Sequence, residues 1–138
     1  MVKQFAGVRV TKPNELVRED ATGFEVAVSP AVTGSKGLVF GSAKVPGGLR
    51  VPAHYHTVDT AALLIRGRAA LRYGEKLATR LEMAAGDYAY VGANVVHDEE
   101  TLGDEVAEFI MARDERGGET IPVDPSDPGW ALLQAAAD

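Results

Sequence analysis

Residues 48–67 read GLRVPAHYHTVDTAALLIRG, and residues 86–101 read GDYAYVGANVVHDEET. These two stretches contain all three histidines of the chain, His54, His56 and His97. On a β-strand, residues i and i+2 point to the same face, so His54 and His56 aim two imidazoles at one point. A neighbouring antiparallel strand can bring the third. Neutral imidazole is the commonest metal ligand and suits zinc, copper, iron and nickel. The spacing therefore lets His54, His56 and His97 converge on one point where a metal could bind. Glycines frame it: Gly48 lies six residues before His54, Gly67 closes the strand after His56, and Gly86 opens the strand that leads to His97.

Outward from this stretch, short β-like runs alternate with turn signals. The expected strands are Val8 to Val10, Phe24 to Val28, Leu38 to Val45, Val51 to His56, Ala61 to Ile65, Ala69 to Tyr73, Ala78 to Glu82, Asp87 to Val91, Val96 to Glu100 and Ala107 to Arg113. Many short strands at near-regular spacing predict an all-β sandwich or barrel. Ala61-Ala62-Leu63-Leu64-Ile65 is apolar on both faces, as for a strand buried on both sides. In the tail, 116–138, Asp127 and Pro128 predict the start of a short C-terminal helix carrying Trp130, Leu132 and Leu133. Trp130 and Leu133, at i and i+3, are expected to dock on the outside of the barrel.

A length of 138 residues predicts a single domain spanning 1–138. The 46% apolar and 25% charged composition is that of a folded globular chain. The net charge of −6 and the lack of a basic cluster argue against a nucleic-acid partner. No run of eighteen apolar residues predicts a membrane span, and Met1-Val2-Lys3-Gln4-Phe5 lacks the apolar centre of a signal peptide. The expected location is cytoplasmic. With no cysteine, thiolate ligands and thiol nucleophiles are excluded.

The two stretches resemble the motifs of the cupin superfamily (RmlC-like). Its first motif places Gly, five residues, His-x-His, three or four residues, Glu, six residues, Gly; here Gly48, His54, His56, Thr60 and Gly67 stand at those places. Its second places Gly, five residues, Pro-x-Gly, two residues, His, three residues, Asn; here these are Gly86, Gly92-Ala93-Asn94, His97 and Thr101. The resemblance implies a double-stranded β-helix, or jelly-roll barrel, with one divalent ion (Fe, Zn, Ni or Mn) bound by His54, His56 and His97 inside one mouth. The fourth ligand of the pattern is missing, since Thr60 replaces Glu. Asp59 is adjacent, but one residue along a strand points to the opposite face. Asn94 in place of Gly is a mild change, because Asn tolerates a left-handed turn.

Three uncharged donors leave the charge of a divalent ion uncompensated and two or three positions open, which favours an anionic substrate. Glu99 shares the strand face of His97 and is expected to point into the cavity as general base, partner to a ligand imidazole, or fourth ligand. Thr101 continues that face. Arg50 shares parity with His54 and is expected to meet a substrate anion if the strand stays regular. Tyr55 faces away and packs; Tyr88 and Tyr90 share a face. The acidic run Asp98-Glu99-Glu100 sits awkwardly with an anionic substrate unless Arg50, Arg66 or Arg68 lies close by.

The expected function is a metal-dependent enzyme on a small, anionic organic substrate. Dioxygenase chemistry stands slightly ahead of Lewis-acid isomerase, cyclase or lyase chemistry, by analogy with three-histidine cupins. The alternatives are a non-catalytic binding cupin and a metal-free sugar epimerase. Cupin edge strands often pair, so a homodimer is expected.

Overall fold

A computed structural model describes residues 7–18, 23–114, 120–124 and 126. Two antiparallel sheets face each other. The first has six strands in the order β1 (Val17–Arg18), β2 (Phe24–Val28), β3 (Val39–Val45), β10 (Ala107–Arg113), β5 (Thr60–Arg66) and β8 (Tyr88–Val91). The second has five, in the order β11 (Ile121–Pro122), β4 (Arg50–Tyr55), β9 (His97–Leu102), β6 (Arg68–Tyr73) and β7 (Thr79–Ala84). Neighbours in space are distant in sequence, β3 beside β10 and β4 beside β9, as in a jelly roll. No described helix is long and apolar enough to cross a membrane.

The core lies between the sheets. Leu64 and Ala107 are fully buried and pack with Ala69, Met83 and Phe109. Phe24, Val26 and Val39 extend the core toward β1. Alternation sets the inner face: in β3, Val39, Gly41, Ala43 and Val45 are buried while Phe40 and Lys44 are exposed.

Two motif positions are explained by backbone geometry. Gly67 has φ +82°, and a Cβ there would lie 2.5 Å from the carbonyl oxygen of Val106. Only glycine fits that turn. Asn94 adopts φ +65°, the left-handed conformation expected of it.

The expected strand Val8 to Val10 does not form. Those residues are irregular, with Val8 and Val10 exposed, and the place beside β2 is taken by Val17–Arg18. Three alternating residues carry too little apolar surface to compete for a sheet edge. The other strands form within a few residues of their expected limits. The helix expected after Asp127, with Trp130, Leu132 and Leu133, lies outside the described residues.

Candidate metal centre

His54 and His56 are carried by β4 and its end, and His97 by the start of β9. The three are buried and their rings face one another, with centroids 5.0 Å (His54 to His56), 4.4 Å (His54 to His97) and 5.7 Å (His56 to His97) apart. One ligating nitrogen from each lies within 4.8 Å of the others.

A bulge in β4 makes this possible. Val51 pairs with Glu99 and His54 with His97, so three steps along β4 match two along β9. The extra residue falls at Pro52-Ala53. Proline cannot donate to the ladder and is tolerated where pairing is interrupted. The bulge also frees the Pro52 carbonyl, which accepts from His54 Nδ1 at 2.6 Å. His97 Nδ1 donates likewise to Val95 O at 2.9 Å. A carbonyl only accepts, so both rings hold their proton on Nδ1 and keep the Nε2 lone pair for a ligand. Burial, with the charges of His54, His56 and Arg113 close by, pushes His97 down to about 3. A neutral imidazole is the form a cation needs. The donor set fits a divalent transition ion.

Glu99 points inward, as its strand parity predicts. It lines a small cavity, about 20 Å³, with His54, His56, Phe109, Met111 and Arg113. Its Oε1 lies 3.9 Å from His97 Nε2, and its side chain is 24% exposed. Burial holds its carboxyl above the ordinary value, against the opposing pull of His54 and Arg113.

Arg50 does not reach the cavity. The bulge breaks the parity that linked it to His54, and its guanidinium lies outside the barrel, 3.1 Å from Asp98 and 2.6 Å from Glu100. Arg72 also binds Asp98. Burial alone would raise the Asp98 carboxyl, but the hydrogen bonds and charges of Arg72 and Arg50 hold it below the usual range. The acidic run therefore divides: Asp98 and Glu100 are neutralised outside, and Glu99 alone faces the site. Arg66 pairs with exposed Glu105, away from the histidines.

The cation that sequence reasoning missed is Arg113. It is buried at the inner end of β10, and its Nε donates to Thr60 Oγ1 at 3.0 Å. Its guanidinium also lies 5.0 Å from the Phe24 ring centroid. Thr60, at the place of the pattern's Glu, thus anchors a buried cation. The signal was available: Arg113 shares parity with buried Phe109, so a charge falls on a core-facing position. Asp59 turns away and accepts from the Ala93 backbone N–H at 2.9 Å. Thr101 is fully buried beneath the site, and Tyr55 packs against Ala53, Leu77 and Val96.

On the other side of His97 a larger cavity of about 260 Å³ opens between β7 and β8. Leu71, Tyr73, Leu81, Tyr90, Val91 and Val95 line it, so its walls are mainly apolar. His97 thus borders the broad apolar cavity and lies 3.9 Å from Glu99, which lines the small one.

A two-sheet barrel with three convergent imidazoles in its interior defines the class: a jelly-roll protein with a candidate mononuclear metal centre. The family model described as Cupin domain matches residues 43–113, and the chain belongs to this family. A cupin 2 domain-containing protein from Halorhodospira halophila is 16% identical, with 87% of this chain and 80% of that chain covered and a TM-score of 0.67. The polyketide cyclase RemF from Streptomyces resistomycificus is 13% identical, with 94% and 98% covered and a TM-score of 0.69. A Klebsiella pneumoniae protein with a double-stranded β-helix domain is 19% identical, with 84% and 99% covered and a TM-score of 0.62. At these identities the likeness is one of fold. No curated protein sequence matches the chain.

Proposed function

We propose that this cupin is a mononuclear metal-dependent enzyme acting on a small anionic organic molecule with an apolar, ring-sized body. The observation that carries the proposal is a cluster of groups: His54, His56, Glu99 and Arg113 line one small cavity, and His97 completes the imidazole trio beside them. His54, His56 and His97 would hold a divalent ion, which would supply Lewis acidity. Arg113 adds fixed positive charge behind the trio, which draws an anionic oxygen to this end of the barrel. Glu99, with its proton affinity raised by burial, takes a proton from the bound molecule and returns it at a neighbouring atom. The apolar cavity beside His97 receives the rest of the substrate. At about 260 Å³ it exceeds the ~150 Å³ that accommodates a benzene ring.

This arrangement supports enolisation, isomerisation, cyclisation or elimination. That RemF, a polyketide cyclase, shares the fold over 94% of this chain lends further support. Dioxygenase chemistry is the second reading. It is favoured by the lack of a carboxylate ligand at Thr60, which leaves positions for both a chelating substrate and O₂. Analogy with three-histidine cupins puts oxygenation slightly ahead; the inward Glu99 supports proton transfer instead.

The test begins with elemental analysis of untagged protein. Loaded protein is then given 1,3-diketones, catechols and small organic acids, while solvent deuterium uptake and oxygen consumption are followed. Deuterium exchange at carbon without oxygen uptake is expected. Oxygen uptake favours the second reading. Ligand binding without turnover or stoichiometric metal overturns both and leaves a binding cupin.

A further inference from the structure

The chain returns to the histidine end of the barrel at Thr120. β11 runs antiparallel to β4, with Ile121 opposite Tyr55 and Pro122 opposite His54. The Val123 backbone N–H donates to the Ala53 carbonyl at 3.0 Å and fastens the segment further. One step back along this register, Thr120 comes level with His56. It lines the small cavity together with His54, His56, Glu99 and Arg113.

The Thr120 hydroxyl is buried and has no hydrogen-bond partner among the described residues. Its neighbours in the cavity are anchored, His54 on the Pro52 carbonyl and Arg113 on Thr60. A hydroxyl shut away from solvent is nearly always paired, so an orphaned one at a cavity wall calls for a guest with a complementary atom. Volume limits that guest. The cavity is about 20 Å³, little more than one water-sized sphere. It takes a single oxygen atom and leaves the body of the molecule outside.

We propose that Thr120 makes this site selective for oxygen over sulfur: its hydroxyl donates a hydrogen bond to the anionic oxygen of the substrate and offers little to a thiolate in the same place. This rests on the reading of a metal-dependent site for a small anion. An oxygen anion is a strong, compact acceptor, whereas sulfur is a larger atom and a weak acceptor. Arg113 and the carboxylate of Glu99 act on charge, which the two kinds of anion share. The hydroxyl acts on acceptor strength, which they do not. Because β11 is pinned to the strand that carries His54, the donor is held in a fixed relation to the imidazoles.

The test uses the full chain loaded with cobalt(II), whose visible absorption reports ligands at the metal, titrated with formate and with methanethiol. Thr120→Val keeps the shape of the side chain and removes the donor. It is expected to raise the Kd for formate at least about tenfold and to change that for methanethiol little. Thr120→Ser, which restores a hydroxyl, is expected to bring formate binding back toward wild type. The valine variant is expected to take up as much cobalt as wild type. Without metal it is expected to resist denaturant equally or better, since an unpaired buried hydroxyl adds no stability. A formate Kd unmoved by Thr120→Val, equal weakening of both probes, or loaded wild type that binds no formate overturns the inference while the metal centre stands. Loss of stability or of cobalt in Thr120→Val assigns the hydroxyl to the scaffold and overturns it too. A wild type that takes up no cobalt overturns the metal reading, and this inference with it.

Discussion

His54 lies directly across the β4–β9 ladder from His97, although Val51, three residues before, lies across from Glu99, two residues after. This mismatch is the β4 bulge, and it selects the contents of the site. It brings His54 into the barrel on the same side as Val51 and leaves Arg50 outside.

The three histidines are expected to act as one unit. His97→Ala is expected to weaken metal binding by about 100-fold or more, since even outer partners of ligands cost 10–100-fold. Metal content after dialysis against a weak chelator measures this. Unchanged stoichiometry would exclude His97 as a ligand.

Glu99→Gln preserves shape and removes the base. The variant is expected to keep its metal and lose about 10²- to 10⁴-fold in turnover. Loss of metal with turnover would instead make Glu99 the fourth ligand.

Arg113 is expected to bind substrate charge. Arg113→Met is expected to raise KM for anionic substrates by tenfold or more while neutral analogues change little. It also strips Thr60 Oγ1 of a buried partner, with a stability cost of about 1–3 kcal/mol read by chemical denaturation. An equal loss for neutral and anionic ligands would assign Arg113 a structural role only.

Arg50→Ala is expected to leave metal binding and turnover intact, because its partners are Asp98 and Glu100 on the outer face. Its effect is on acid stability. The folded Asp98 carboxyl lies below its unfolded value, so its contribution is complete above the ordinary carboxylate range and disappears as pH falls through the folded value. Removing Arg50 raises the folded value toward the unfolded one, so the contribution at neutral pH shrinks and less stability is lost on acidification. Identical acid unfolding curves for the two proteins would remove the clamp from this account.

The metal-free protein is expected to lose stability as pH falls from about 6.5 toward 3. Unfolded His97 takes up a proton near 6.5, while buried His97 stays neutral down to about 3. The unfolded state then holds the extra proton, and stability falls by at most about 1.4 kcal/mol per pH unit for this group. Denaturation curves of wild type and His97→Asn at several pH values give the difference. Parallel slopes would show that His97 is not the group responsible.

Most of the fold was legible because it depends on local rules. Glycines at 48, 67 and 86, the tight turns and the period-two apolar runs specify where strands begin and end, and only the weakest run, Val8 to Val10, went astray. Glu99 was legible for the same reason, since two steps along an unbroken strand preserve its face. Arg50 was not, because a bulge adds one residue and inverts every side chain beyond it, and nothing in Val51-Pro52-Ala53 announces which residue is extra. Pro52 hinted at interrupted pairing without giving its register. Arg113 lies outside both motifs and joined the site only when β10 paired beside β5.

By itself, the order of residues determined an all-β sandwich or barrel and put His54 and His56 on one strand face, and the resemblance of its motifs to the cupin pattern implied the jelly roll, His97 as third donor and the missing carboxylate at Thr60. The tertiary structure alone decided which charges enter the barrel. Arg50 and Arg113 carry the same guanidinium, and only strand pairing across long separations, with its bulges, puts one in solvent among carboxylates and the other beside the histidines.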